Sequence, residues 1–204
     1  MNAQQGETSP ENTRAEAQRE RILAAAQKCF IECGFHAASM ANIADTAGMS
    51  AGLMYRYFEN KSAIVLAIIE RQLRDAHESL SRQNPAADLA ADLLALFRGW
   101  QARDPSVMNA ALYLEMSAEG TRDPQVAAAV RAADTQLHEE LKAWIARPRG
   151  QGGLGLPADK AAARVLMLQS FVRGLAVNAV RNPGLDPALV RRAIEDFVRA
   201  LQAG

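Results

Sequence analysis

A chain of 204 residues, 49% hydrophobic and 23% charged, carries enough apolar material for one or two buried cores and has the composition of a globular protein. Its 23 basic and 23 acidic side chains cancel, which removes bulk attraction as an argument for nucleic-acid binding; any such binding must rest on pattern and geometry. No apolar run approaches the length of a membrane span and no secretory signal opens the chain, so the expected location is the cytoplasm.

Residues 1–12 are polar with Gly and Pro and read as a disordered leader. Thr13 is the expected cap of a helix from Arg14 to Cys33, whose face of Ile22, Leu23, Ala26, Phe30 and Cys33 has helical spacing. Cys29 and Cys33 lie one turn apart on it and suit small core residues of a reduced compartment. Gly34 ends the helix, and Phe35 is expected to plug the core beneath the next link.

Ser39 to Lys61 then reads as two short helices around a tight turn. Ser39 caps the first, Ile43, Ala44 and Ala47 give it an apolar stripe, and Gly48 ends it. Ser50 caps the second, expected over Ala51–Tyr57, with Met54 and Phe58 on the inner face. This layout is that of a helix-turn-helix, whose second helix can enter a DNA major groove. Local charge does not add to it: residues 1–61 hold six basic groups against seven acidic ones.

Asn60 is the expected cap of a long helix over residues 61–82, with Ile64, Val65, Ile68, Ile69, Leu73, His77 and Leu80 on one side and Asn84-Pro85 as its break. Some 22 residues at about 1.5 Å each span roughly 33 Å, long enough to join one domain to the next. Helices follow over 86–103, over 105–118, and from Pro124, with Asp123 as cap, to Ala146. Residues 148–157 form a loop; Gly150, Gly152 and Gly155 match G-x-G-x-x-G only by chance, because no strand precedes them. The helix over 158–181 is apolar on nearly every side and needs cover on both faces; with the last helix, over 187–201, it suits a four-helix interface between two copies. The fold class is all-α, with about nine helices.

The run IADTAGMSAGLMYRYFENKSAIVLAII, Ile43 to Ile69, resembles the TetR family pattern I-A-x-x-A-G-V-S-x-G-x-[LIF]-Y-x-[HY]-F-x-[SN]-K-x-x-L. The resemblance covers Arg14 to Arg71 and implies a three-helix DNA-binding domain (13–60) followed by a larger helical ligand-binding and dimerisation domain (61–204). Met49 departs from the pattern's Val, a volume-tolerant swap. Met40 and Ala41 stand where family members often carry Thr or Arg, which shifts base reading onto the second short helix.

By chemistry, Lys61 and the Ser39 and Ser50 hydroxyls are candidate phosphate contacts, and Arg56 is the long side chain able to read guanine bidentately. Ala51 and Gly52 permit close approach, and Leu53 suits a thymine methyl. The resemblance adds Tyr55 and Tyr57 facing backbone or groove. In the body, Phe97, Trp100, Met108, Leu112, Met116, Trp144, Met167 and Phe171 suit either ordinary core or the lining of an apolar cavity, with Glu115, Arg173 and Asn178 to orient a ligand. His36, His77 and His138 lack metal-ligand spacing, and no nucleophile elbow or phosphate loop occurs, so no enzyme, metal or cofactor is expected. The expectation is a homodimeric repressor released from double-stranded operator DNA by a small-molecule effector. The alternative is a sensor or carrier with a vestigial helix-turn-helix.

Overall fold

The computed structural model describes residues 10–82, 88–104 and 107–203; the break expected at Asn84-Pro85 and most of the 1–12 leader lie outside them. The described residues form nine α-helices, one short 3-10 turn and no strand. They divide into two compact units, Met1–Ile68 and Ile69–Gly204. The division falls inside the fourth helix.

In the first unit, α1 (Pro10–Ala37) starts ahead of the expected Thr13 cap, and Pro10 is tolerated there because a first-turn N–H has no helical partner to lose. Gly34 breaks the helix at φ 78°, as expected of glycine, and one further turn carries Phe35 into the core. There the Phe35 ring meets Phe30, centroids 5.2 Å apart. Helix α2 (Met40–Thr46) opens on Ser39, whose Oγ accepts from the Asn42 amide at 3.1 Å; Asn42 Oδ1 accepts from the Ser39 amide in return, closing a capping box. Gly48, at φ 63°, ends the turn, with its own N–H bonded to Asp45 and that of Met49 bonded to Ala44.

Helix α3 (Ala51–Tyr55) opens on Ser50, whose Oγ accepts from Leu53 at 3.2 Å. It is shorter than expected. Arg56 and Tyr57 leave the α-helix because their amides bond three residues back, to Leu53 and Met54, which tightens the last turn. Met54 and Phe58 are buried, as their inner-face assignment required. Helix α4 (Lys61–Arg82) is capped by Asn60 Oδ1 at 2.8 Å from the Ala63 amide.

The second unit contains α5 (Leu89–Ala102), α6 (Ala110–Glu119), α7 (Pro124–Ala146), the turn Arg149–Gln151, α8 (Ala158–Arg181) and α9 (Pro187–Gln202). Helix α6 starts later than the expected Pro105. Arg103 stops α5 in the left-handed conformation, the Trp100 indole donates to the Met108 carbonyl at 2.8 Å, and Asn109 then caps α6 through the Leu112 amide. Val107 and Met108 therefore belong to a link, not to the helix. Helix α7 begins as expected, with Asp123 accepting from Gln125 and Val126 ahead of Pro124.

Helix α8 packs against α5, α6, α7 and α9 and forms the centre of this unit. Its buried side (Val165, Leu168, Leu175, Ala176) joins Phe97, Trp144 and Ile194 in one core. Its other side keeps Leu166, Met167 and Val180 exposed, so an apolar surface on α8 is left uncovered by the described residues. Among the described residues, no helix is long and apolar enough to cross a membrane.

Candidate functional site

The outer surface of the two short helices gathers most of the residues expected to contact DNA. Ser39, Ser50, Ala51, Gly52, Tyr55 and Arg56 are exposed, while Leu53, Tyr57 and Lys61 are half-buried. Ala51, Gly52, Tyr55 and Arg56 share one face of α3 by helical spacing. Tyr55 is 54% exposed, and no heavy atom lies within 4 Å of where a Gly52 Cβ would sit, so that face is open to a large partner. Both short helices open on exposed caps, Ser39 and Ser50, and at a helix N-terminus the amide N–H groups and the dipole favour phosphate oxygens.

Three of these residues have further partners, two through the side chain and one through the backbone. The Lys61 ammonium donates to the carbonyls of Phe35, at 2.6 Å, and His36, at 3.4 Å, and so sits on the C-terminal end of α1. The Ser39 hydroxyl also meets the Asn42 side chain. The Tyr57 carbonyl accepts from Arg19 Nη1 at 3.3 Å. Arg19 and Arg21 carry no local signal in the sequence, because their bonds to Tyr57 and Gly48 cross 38 and 27 residues.

The body residues do not converge on one group. Phe97, Trp100, Leu112, Met116 and Trp144 are buried; Glu115, Phe171 and Arg173 are half-buried; Met108, Met167 and Asn178 are exposed. Both tryptophans spend their indole N–H on loop carbonyls, Trp100 on Met108 and Trp144 on Gly152 at 2.9 Å. Arg173 is held by Asp134 of α7 at 2.7 Å, and one turn along the same helix pair His138 Nδ1 lies 3.4 Å from Gln169 Oε1. The Gln169 amide nitrogen is buried without a hydrogen-bond partner among the described residues. Phe171 stacks on Phe197 at 3.8 Å, nearly parallel. On α5, burial and secondarily the neighbouring Asp88 charge push the Asp92 carboxyl above its ordinary range. No group of three or more His, Cys, Asp or Glu side chains able to hold a metal occurs among the described residues.

Comparison with known proteins agrees with this geometry. Residues 22–68 match the model of bacterial regulatory proteins of the tetR family, and residues 101–203 match that of the BetI-type transcriptional repressor C-terminal domain. The HTH-type transcriptional regulator UidR of Escherichia coli (strain K12) is 35% identical over 123 residues, an alignment spanning 58% of this chain and 60% of UidR. The HTH-type transcriptional regulator BetI of Cronobacter sakazakii (strain ATCC BAA-894) is 29% identical over 192 residues, 91% of each chain. The solved structure of Salmonella enterica GusR superimposes with a TM-score of 0.67 at 28% identity, covering 94% of this chain and 98% of that one. With a helix-turn-helix matched at one end and a repressor body matched over half its length, the chain belongs to the TetR family of transcriptional regulators.

Proposed function

We propose that the protein is a dimeric, cytoplasmic repressor that reads a palindromic operator with α3 and releases it when a small, largely apolar ligand enters the α5–α8 body. The observation that carries this reading is the open α3 face of Ala51, Gly52, Tyr55 and Arg56 beside two capped helix N-termini. In a dimer built on α8 and α9, the exposed Leu166, Met167, Val180 and Leu189 find cover, and two α3 helices meet successive major grooves about 34–36 Å apart. Within that body the polar groups left for a ligand are Arg173, held by Asp134, and the unpartnered amide nitrogen of Gln169 one turn away on α8. The ligand acts by binding more tightly to a conformation in which the two reading heads are wrongly spaced, and α4 carries that change.

Mobility-shift titration with the DNA flanking the coding region tests the reading. Specific binding is expected, weakened by Arg56→Ala and by Lys61→Ala and abolished by the effector that copurifies with the body. Absence of salt-sensitive binding to any duplex would refute it and favour a sensor or carrier with a vestigial head.

A further inference from the structure

A five-residue helix has almost no stability of its own, since isolated helices shorter than about 12–15 residues are marginal in water. Helix α3 also buries one side chain, Met54, so apolar packing alone gives it little hold. Two arginines of α1 reach it from either side. Arg21 Nη2 donates to the Gly48 carbonyl at 2.9 Å, in the turn just ahead of the Ser50 cap. Arg19 Nη1 donates to the Tyr57 carbonyl at 3.3 Å, just past the end of α3, and its guanidinium lies 4.5 Å from the centre of the Phe58 ring. The two acceptors bracket α3, and both are carbonyls that the short helices leave without a helical partner.

We propose that Arg19 and Arg21 are positioning residues for DNA reading, a pair of clamps that sets the angle at which α3 presents Tyr55 and Arg56. The glycine at position 48 fits this role for a second reason besides its left-handed backbone. A Cβ there would stand 2.6 Å from Arg21 Nη2 and push the guanidinium off its carbonyl. The inference rests on the DNA-reading function proposed above. Base edges are read bidentately over distances of about 3 Å, so a small tilt of α3 degrades specific contacts far more than it degrades attraction to phosphates.

The test uses the full chain and a duplex that the wild-type protein enriches from random sequence. Arg19→Ala and Arg21→Ala are each expected to weaken binding to that duplex about tenfold, the scale of one lost bond to a charged group. Affinity for a scrambled duplex and the salt slope stay unchanged, because no phosphate contact is removed. Arg21→Lys keeps one charged donor and recovers part of the loss. Hydrogen exchange at the Met54 and Phe58 amides speeds up in both alanine variants while the amides of α5 and α8 keep their protection, which separates a loosened α3 from an unfolded chain. Undiminished discrimination between the two duplexes would overturn the proposal. So would an equal loss on both duplexes with the salt slope reduced by about one, which would make the arginines phosphate contacts themselves. If the wild-type protein enriches no duplex, the DNA-reading function itself fails, a result distinct from either of these.

Discussion

The Lys61 ammonium donates to the Phe35 carbonyl at 2.6 Å and lies 4.3 Å from the centre of the same residue's ring. The first residue of α4 thus ties itself to the end of α1, where the helix dipole favours a cation and end carbonyls need donors. A residue selected from sequence for DNA contact is also a fastener of the domain that makes the contact.

Lys61→Met keeps an apolar stem on the Phe35 ring but removes the charge and the donor. Its cost without DNA is expected to be about 1–2 kcal/mol of unfolding free energy, from a charge-assisted bond and a cation–π contact that are both partly solvated. Urea unfolding followed in the free protein checks this; an unchanged midpoint would leave Lys61 as a plain surface charge. The salt slope of operator binding should also fall by about 0.9, the signature of one lost phosphate contact.

Arg56 stands exposed at the C-terminal end of α3, its backbone amide bonded to the Leu53 carbonyl. Arg56→Ala should cost about 1–3 kcal/mol on the operator and relax preference at one base pair, with other positions unaffected. Arg56→Lys should rescue affinity for the backbone but not that base preference, because an ammonium cannot make the paired contact. Binding profiles over a library of single-base operator variants distinguish the two.

What was legible in the sequence was short-range. Ser39, Ser50, Asn60 and Asp123 cap their helices through side-chain bonds spanning two or three residues, Gly34 breaks α1, and Gly48 adopts the left-handed backbone its placement implies. Helix α6 starts later than its expected 105 because Asn109 caps it, after a link that the Trp100–Met108 bond fixes in a way no local pattern announces. Arg19–Tyr57, Arg21–Gly48, Arg173–Asp134 and His138–Gln169 join residues 27 to 39 positions apart, and no periodicity announces such pairs. The tryptophans show the same limit: their type suits either ordinary core or a cavity lining, and no pattern in the sequence ties their indole N–H groups to loop carbonyls.

Leu166 is 60% exposed and Leu189 49%, on the two helices assigned to the dimer. Charging either should leave the fold of the subunit intact, since neither belongs to its core. Leu166→Glu with Leu189→Glu is expected to convert the dimer to monomer in sedimentation velocity at micromolar concentration. Operator affinity should collapse with it, because one head then binds one half-site. A dimer that survives both charges would move the interface elsewhere.

Asp92 carries a carboxyl pushed up first by burial and then by the Asp88 charge. An acid with a raised folded pKa is penalised in its charged form, so the penalty is absent below the unfolded value and complete once pH has risen past the folded one. Asp92→Asn should therefore stabilise the protein at neutral pH, and the gain should vanish below about pH 4. Thermal unfolding at the two pH values reads the difference; an equal shift at both would trace the effect to something other than the charge.

The loop between α7 and α8 looks flexible by composition, yet its backbone is closely fixed. The Trp144 indole holds the Gly152 carbonyl, Arg149 Nε holds that of Leu154 at 3.1 Å, and Leu154 and Leu156 enter the core. A Cβ on Gly153 would stand 2.0 Å from the Arg147 carbonyl oxygen, a backbone atom that cannot rotate aside. Gly153→Ala should then cost about 1–3 kcal/mol, the range of overpacking in a close-packed site. Gly150→Ala should be near neutral, since nothing lies within 4 Å of its added methyl. Trp144→Phe retains the apolar bulk but strands the Gly152 carbonyl and should cost about 1–3 kcal/mol. Denaturant unfolding of the three variants side by side decides the matter, and a Gly153→Ala protein as stable as Gly150→Ala would show that the loop yields where its geometry says it cannot.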